Sequence, residues 1–119
     1  REVFDRQIGS NQAIQHPLAE AYMRTLSVKQ TVYRTAEMMD SLDRQQVGTL
    51  ANSSNYLASE VAFDASDAAV QTFGGFGIAR EYDVERLFRD ARLAKIAPIS
   101  QQLALNYVGE KALGLPRSF

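Results

Sequence analysis

The 119-residue chain has no cysteine, no tryptophan and a single histidine, His16. Without cysteine there is no disulfide scaffold, no thiolate nucleophile and no Cys-ligated zinc or iron–sulfur site. One histidine excludes multi-histidine metal sites and paired-histidine acid–base schemes. A charge excess of either sign is also missing. Lys plus Arg is 13 against 14 for Asp plus Glu, a net charge of −1, which argues against a nucleic-acid footprint and a basic membrane-binding face. The apolar runs are only a few residues long, far from the roughly 20 that cross a bilayer. No signal peptide opens the chain, so the expected address is cytoplasmic. Alternating apolar and polar runs are absent too, and Ala, Leu, Gln, Glu and Arg fill the sequence. That composition favours helix over strand.

Gly9-Ser10, Gly74-Gly75-Phe76-Gly77 and Gly114-Leu115-Pro116 punctuate the chain. The first segment runs from about Asn11 to Leu42, with Ile14, Leu18, Tyr22 and Leu26 every four residues and Tyr33, Ala36 and Met39 continuing the stripe. This predicts a long amphipathic helix capped by Ser10 or Asn11. Pro17 removes the bond to Ala13, so it kinks the helix or marks its true start. The second segment, from about Val47 to Phe73, carries Leu50, Leu57, Val61, Ala65 and Ala68 as one stripe. Its small residues Ser53, Ser54, Ala58, Ala62 and Ala65 allow another helix or a ligand to approach closely. Gly74 is the residue suited to a left-handed C-cap. Asp83 is the expected N-cap of a short helix from Val84 to Lys95, with Glu85 and Arg89 at the favourable i,i+4 spacing. Pro98 fits the first position of a last helix carrying Ile99, Leu103, Tyr107 and Leu113. Four helices joined by tight turns make an all-α antiparallel bundle of one domain.

Little of this is chemistry. The glycine turn at 74–77 opens no helix and has no Lys-Ser/Thr after it, so it is not a Walker loop; it is either a structural turn or a set of backbone N–H groups for a phosphate. The run from Glu85 to Arg92 reads as a solvated, ion-paired face, His16 as a helix-start or packing residue, and Tyr22, Tyr33, Phe63 and Phe73 as core. No pair of carboxylates stands out, and no metal ligands or catalytic group emerge.

Several segments taken together resemble one family. Arg1-Glu2-Val3-Phe4, followed by Ile8-Gly9-Ser10-Asn11-Gln12-Ala13, resembles the R-x-x-F-G-x-x-I-x-x-x-Q-A opening of the C-terminal helical domain of acyl-CoA dehydrogenases. Asp67-Ala68-Ala69-Val70-Gln71-Thr72-Phe73-Gly74-Gly75-Phe76-Gly77 resembles that domain's A-V-Q-x-F-G-G-x-G signature. Glu81 to Arg86 and Arg89 to Arg92 match its next block, and Gly114-Leu115-Pro116-Arg117 its ending, so the match spans nearly residues 1–119. The resemblance implies an FAD flavoprotein that oxidises an acyl-CoA substrate to the 2-enoyl-CoA and passes electrons to an electron-transfer flavoprotein. A base takes the acidic α-proton and the flavin accepts the β-hydride. It also implies a homo-oligomer in which this domain makes subunit contacts and reaches a neighbour's FAD. On the matched positions, Arg1 and Gln12 would meet the FAD diphosphate and adenosine region, and Phe4 would pack beside the cofactor. Gln71 and Gly75 would lie against the same half, while Ser100 and Gln102 would fall at the last flavin contacts.

Two positions depart from the family pattern. Asp5 stands where the family usually has glycine, bringing a carboxylate near the cofactor phosphates. Pro98 stands where many members place the catalytic glutamate; other members carry it on an earlier helix, which would precede Arg1. Truncation accounts for this. The chain is then the C-terminal domain of a longer enzyme, lacking the first helix of its bundle and inactive alone. The alternative is a short non-catalytic helical protein that kept the oligomerisation surface.

Overall fold

The computed structural model describes residues 1–118. Its elements are a minimal hairpin, β1 (Glu2–Val3) and β2 (Arg6–Gln7), then α1 (Gln12–Met38), α2 (Arg44–Phe73), α3 (Val84–Ala94) and α4 (Gln101–Lys111), with 3-10 turns at Ile8–Ser10, Met39–Ser41 and Gly74–Ile78. The expected all-α bundle is what the chain forms, and α2 is its axis. Arg24, midway along α1, pairs with Asp64 at 2.7 Å, and Thr35, near its C-terminal end, meets Ser54 at 3.2 Å, so α1 and α2 run antiparallel. Gln101 bonds Ser59 and Gln45 reaches the Lys111 carbonyl, so α4 also runs against α2. Phe63 and Phe88, with ring centroids 5.2 Å apart, join α2 to α3.

Small residues on α2 permit these approaches. Ser54 and Ser59 are buried, and a methyl group at Gly48 would overlap the Tyr107 hydroxyl of α4. Every polar side chain taken out of water in this way needs a partner. Thr35 bonds its own helix at the Thr31 carbonyl as well as Ser54.

The helix ends differ in part from the sequence expectation. Helix α1 begins at Gln12, so Pro17 lies inside it and does not mark its start. Asn11 is the N-cap residue but its side chain makes no cap bond; it is engaged behind itself, accepting from Arg6 Nη2 at 2.7 Å and donating to the Ile8 carbonyl at 3.0 Å. Helix α2 starts earlier than Val47 because Asp43 and Gln46 form a reciprocal capping box. Asp83 borders α3 without capping it: its carboxylate turns to Arg86 at 3.3 Å. Pro98 is not the first residue of α4. Ser100 takes the cap by accepting from the Leu103 N–H, and Pro98 sits in the preceding turn after a cis peptide.

The core is thin. Val61 and Ala104 are its buried apolar side chains among the residues described. Tyr22 and Tyr33, expected inside, are 70% and 56% exposed. The apolar stripe of α1 faces α2 along one edge only, and none of the described residues covers Tyr22, Leu26 or Tyr33. The radius of gyration is 17.9 Å, against about 13.5 Å for a compact domain of this length.

Candidate functional site

At one end of the bundle the hairpin, the start of α1 and the glycine turn converge. The Ile8 N–H donates to the Arg1 carbonyl at 3.0 Å, which folds the hairpin back and sets Arg1 beside the helices. A cavity of about 490 Å³ lies between Arg1, Ile8, Ile14, Leu18, Thr72, Phe73, Phe76 and Tyr82. Its floor is aromatic: Tyr82 stands 5.8 Å from Phe73 and 5.4 Å from Phe76 between ring centroids. The two segments singled out in the sequence, some 70 residues apart, thus meet in space, with Arg1 beside a mostly apolar hollow.

The hairpin loop is Phe4-Asp5, since Val3 pairs with Arg6. Both loop residues have positive φ, 54° and 58°, as a two-residue type I′ turn requires. For Phe4 this is a strained conformation, and the turn holds its ring 94% exposed. The φ of Asp5 also explains the glycine usual there in the resembling family: glycine takes positive φ without steric cost, and aspartate is among the better substitutes.

In the glycine turn the positive φ belongs to Gly74, at 62° with ψ −138°. The sign is as expected, but the ψ departs from the left-handed helical cap. Gly75 has no positive φ, and a Cβ there would meet nothing within 4 Å. Gly77 is the crowded one, with its Cβ direction blocked by the Val70 backbone. Close approach within the chain therefore falls at Gly77, and Gly75 offers an open, exposed backbone.

Of the seven expected contact residues, Arg1 lines the cavity. Gln71 and Gly75 lie next to lining residues Thr72 and Phe76 in sequence, and Gln12 opens α1; all three are exposed. Ser100 and Gln102 form a separate locale at the start of α4. Ser100 is half-buried and spent on the helix cap, and Gln102 is exposed. Between them Gln101, which the sequence did not single out, is buried and bonds Glu60 at 2.6 Å and Ser59 at 3.0 Å. Lys95 reaches the same Glu60 oxygen at 2.7 Å. The hydrogen bonds from Lys95 and then Gln101 hold the Glu60 carboxyl below its ordinary value.

The expected Glu85–Arg89 pair is present at 2.8 Å, and Arg86 bridges Asp83 and Asp90. This charged run is a solvated face, as read from the sequence. His16 is exposed on the first turns of α1. No group of acidic or histidine residues suited to a metal ion occurs among the described residues, and no helix there is long and apolar enough to cross a membrane.

The profile described as "Acyl-CoA dehydrogenase, C-terminal domain" matches residues 1–113. An acyl-CoA dehydrogenase of Mycobacterium tuberculosis is 40% identical over 119 residues, 100% of this chain and 31% of the relative. Cyclohexane-1-carbonyl-CoA dehydrogenase of Geobacter metallireducens is 32% identical over 87% of this chain and 27% of its own length. A solved structure described as "Electron transferring flavoprotein of Acidaminococcus fermentans: Towards a mechanism of flavin-based electron bifurcation" contains a chain that superposes with a TM-score of 0.88. That chain is 28% identical, over 95% of this chain and 29% of its own. The chain thus spans less than a third of the length of these relatives. The fold, the converging motifs and the match over residues 1–113 make this chain a member of the acyl-CoA dehydrogenase family, corresponding to its C-terminal domain.

Proposed function

We propose that residues 1–119 are the C-terminal helical domain of a cytoplasmic, homo-oligomeric FAD-dependent acyl-CoA dehydrogenase, supplying subunit contacts and one part of the cofactor site. The observation that carries this reading is the meeting of Arg1 with the glycine turn around the aromatic cavity. The residues there suit a flavin dinucleotide. Arg1 offers a fixed positive charge to a diphosphate, Phe4 presents an outward aromatic face, and Gly75 leaves a stretch of backbone that a ligand can approach without meeting a side chain. Gln12 and Gln71 supply exposed amides near the same end, and Ser100 and Gln102 serve the flavin from the start of α4. When bound, FAD supplies the two-electron acceptor for α,β-oxidation of the thioester, and an electron-transfer flavoprotein is the onward acceptor.

The chain's own contribution is binding and placement. Pro98 offers no proton acceptor at the position matched to the base in many relatives, so the base comes from outside these residues and the domain alone is inactive. The exposed apolar surface supports the oligomer. The accessible area is 8678 Å², against about 6,400 Å² for a monomer of this mass, and Tyr22, Met23, Leu26 and Tyr33 lie open along α1. The test compares the 119-residue chain with the full-length flavoprotein, each given FAD, a panel of acyl-CoAs and a dye acceptor. Turnover is expected from the full-length protein alone. FAD-dependent turnover by the 119-residue chain would overturn the assignment of the base, and Glu81 and Glu110 would be the first residues to replace.

A further inference from the structure

One carboxylate oxygen fastens both ends of the turn between α3 and α4. Lys95, which ends α3, and Gln101, which begins α4, both reach Glu60 Oε1, at 2.7 and 2.6 Å. The Gln101 N–H donates to the Lys95 carbonyl at 3.3 Å and closes the same turn through the backbone. The clasp is sheltered: Gln101 is buried, its amide also bonds Ser59, and the Lys95 ammonium stands 5.0 Å over the Phe63 ring. The further cation near Glu60, Arg24 of α1, is itself paired with Asp64 at 2.7 Å.

At this end of α4 the small side chain of Ala104 is buried, but the large apolar side chains are not. Ile96, Ile99 and Leu103 are about half exposed, so burial of these side chains cannot set how far α4 advances along α2. Directional bonds to a single acceptor can, because a shift of about one helical step, 1.5 Å, breaks them. Ser100 and Gln102 flank Gln101, so the point at which Gln101 is held determines where both are presented.

We propose that Glu60 is a positioning residue: by holding Lys95 and Gln101 on one oxygen it sets the placement of Ser100 and Gln102 at the flavin. This rests on the cofactor reading above for what the two residues touch, and on geometry alone for how they are held. An adjacent carboxamide keeps an acceptor but loses the ionic attraction, so Glu60→Gln separates the clasp from mere bulk.

Hydrogen exchange of the Gln101 amide in the intact protein reads the clasp directly. Glu60→Gln is expected to speed that exchange by about fivefold, as for a partly buried ion pair, while amides in the middle of α1 stay as protected as in the wild type. Lys95→Met should act alike and add little to Glu60→Gln. With intrinsic exchange chemistry corrected, wild-type protection should fall as acid protonates Glu60, and the Glu60→Gln profile should be flat. Should Glu60→Gln lose helical circular dichroism, Lys95→Met is read in its place. Unchanged Gln101 protection with an unchanged pH profile overturns the proposal. In the flavoprotein, the same substitution should alter the flavin absorption band. A wild-type protein that holds no FAD would defeat the cofactor reading, and the exchange result would still decide the clasp.

Discussion

Gly77 is packed so tightly on Val70 that a Cβ on the glycine would lie 2.6 Å from the Val70 carbonyl oxygen. The contact is backbone against backbone, so no side chain can swing away to relieve it. It locks the turn that follows α2 and thereby the aromatic wall of the cavity. Gly77→Ala should destabilise the protein by about 1–3 kcal/mol, as overpacking of a filled site does. Gly75→Ala, two residues earlier with open space around it, should change stability by less than about 0.5 kcal/mol. Urea unfolding of the two variants checks the contrast; equal losses would mean that the turn tolerates a side chain at either place.

Acid should weaken the clasp at Glu60. Hydrogen bonds from Lys95 and Gln101 hold this carboxyl below its ordinary value of 4.5. As pH falls, the unfolded chain therefore takes up the proton first. The stabilisation is complete above the unfolded value of 4.5 and is lost as pH falls below it through the folded value. The stability difference between wild type and Glu60→Gln should be constant from pH 7 to about 5 and shrink below. A difference independent of pH down to 3 would contradict this.

The open face of α1 should associate. Leu18, Tyr22, Leu26 and Tyr33 share that face and are each at least 40% exposed, and a groove of about 430 Å³ between Val28, Val32, Ala58 and Val61 runs beside it. An exposed apolar patch of this extent is unusual on a monomer. Sedimentation at micromolar concentration should give a dimer or larger species, and Tyr22→Glu with Leu26→Glu should convert it to monomer. A wild-type monomer under these conditions would remove α1 from the subunit contacts.

What could be read in the sequence was local. The period of Ile14, Leu18, Tyr22 and Leu26 does form a helix, Glu85 does bond Arg89, and Gly74 does take a positive φ. The capping box was visible as Asp43-Arg44-Gln45-Gln46, where a cap residue is followed at the third position by an amide. Periodicity reports that a face is apolar, not what covers it, which is why Tyr22 and Tyr33 read as core yet lie open. The Glu60 clasp had no local signal at all. Its partners Lys95 and Gln101 are distant in sequence, and an ordinary glutamate on a helix looks solvated until its neighbours are known.

If this domain helps hold FAD through the end of the bundle where Arg1 meets the glycine turn, replacing Arg1 must loosen the flavin. FAD content of the full-length flavoprotein after dialysis tests it most directly, with Arg1→Ala compared against Arg92→Ala, a change on the exposed face of α3. Removing a charge-assisted contact to a diphosphate costs about 1.5–3 kcal/mol, roughly ten- to a hundredfold in affinity. Arg1→Ala should therefore lose its flavin while Arg92→Ala keeps it. Equal retention by the two variants would contradict the account and return the glycine turn to a plain end of α2.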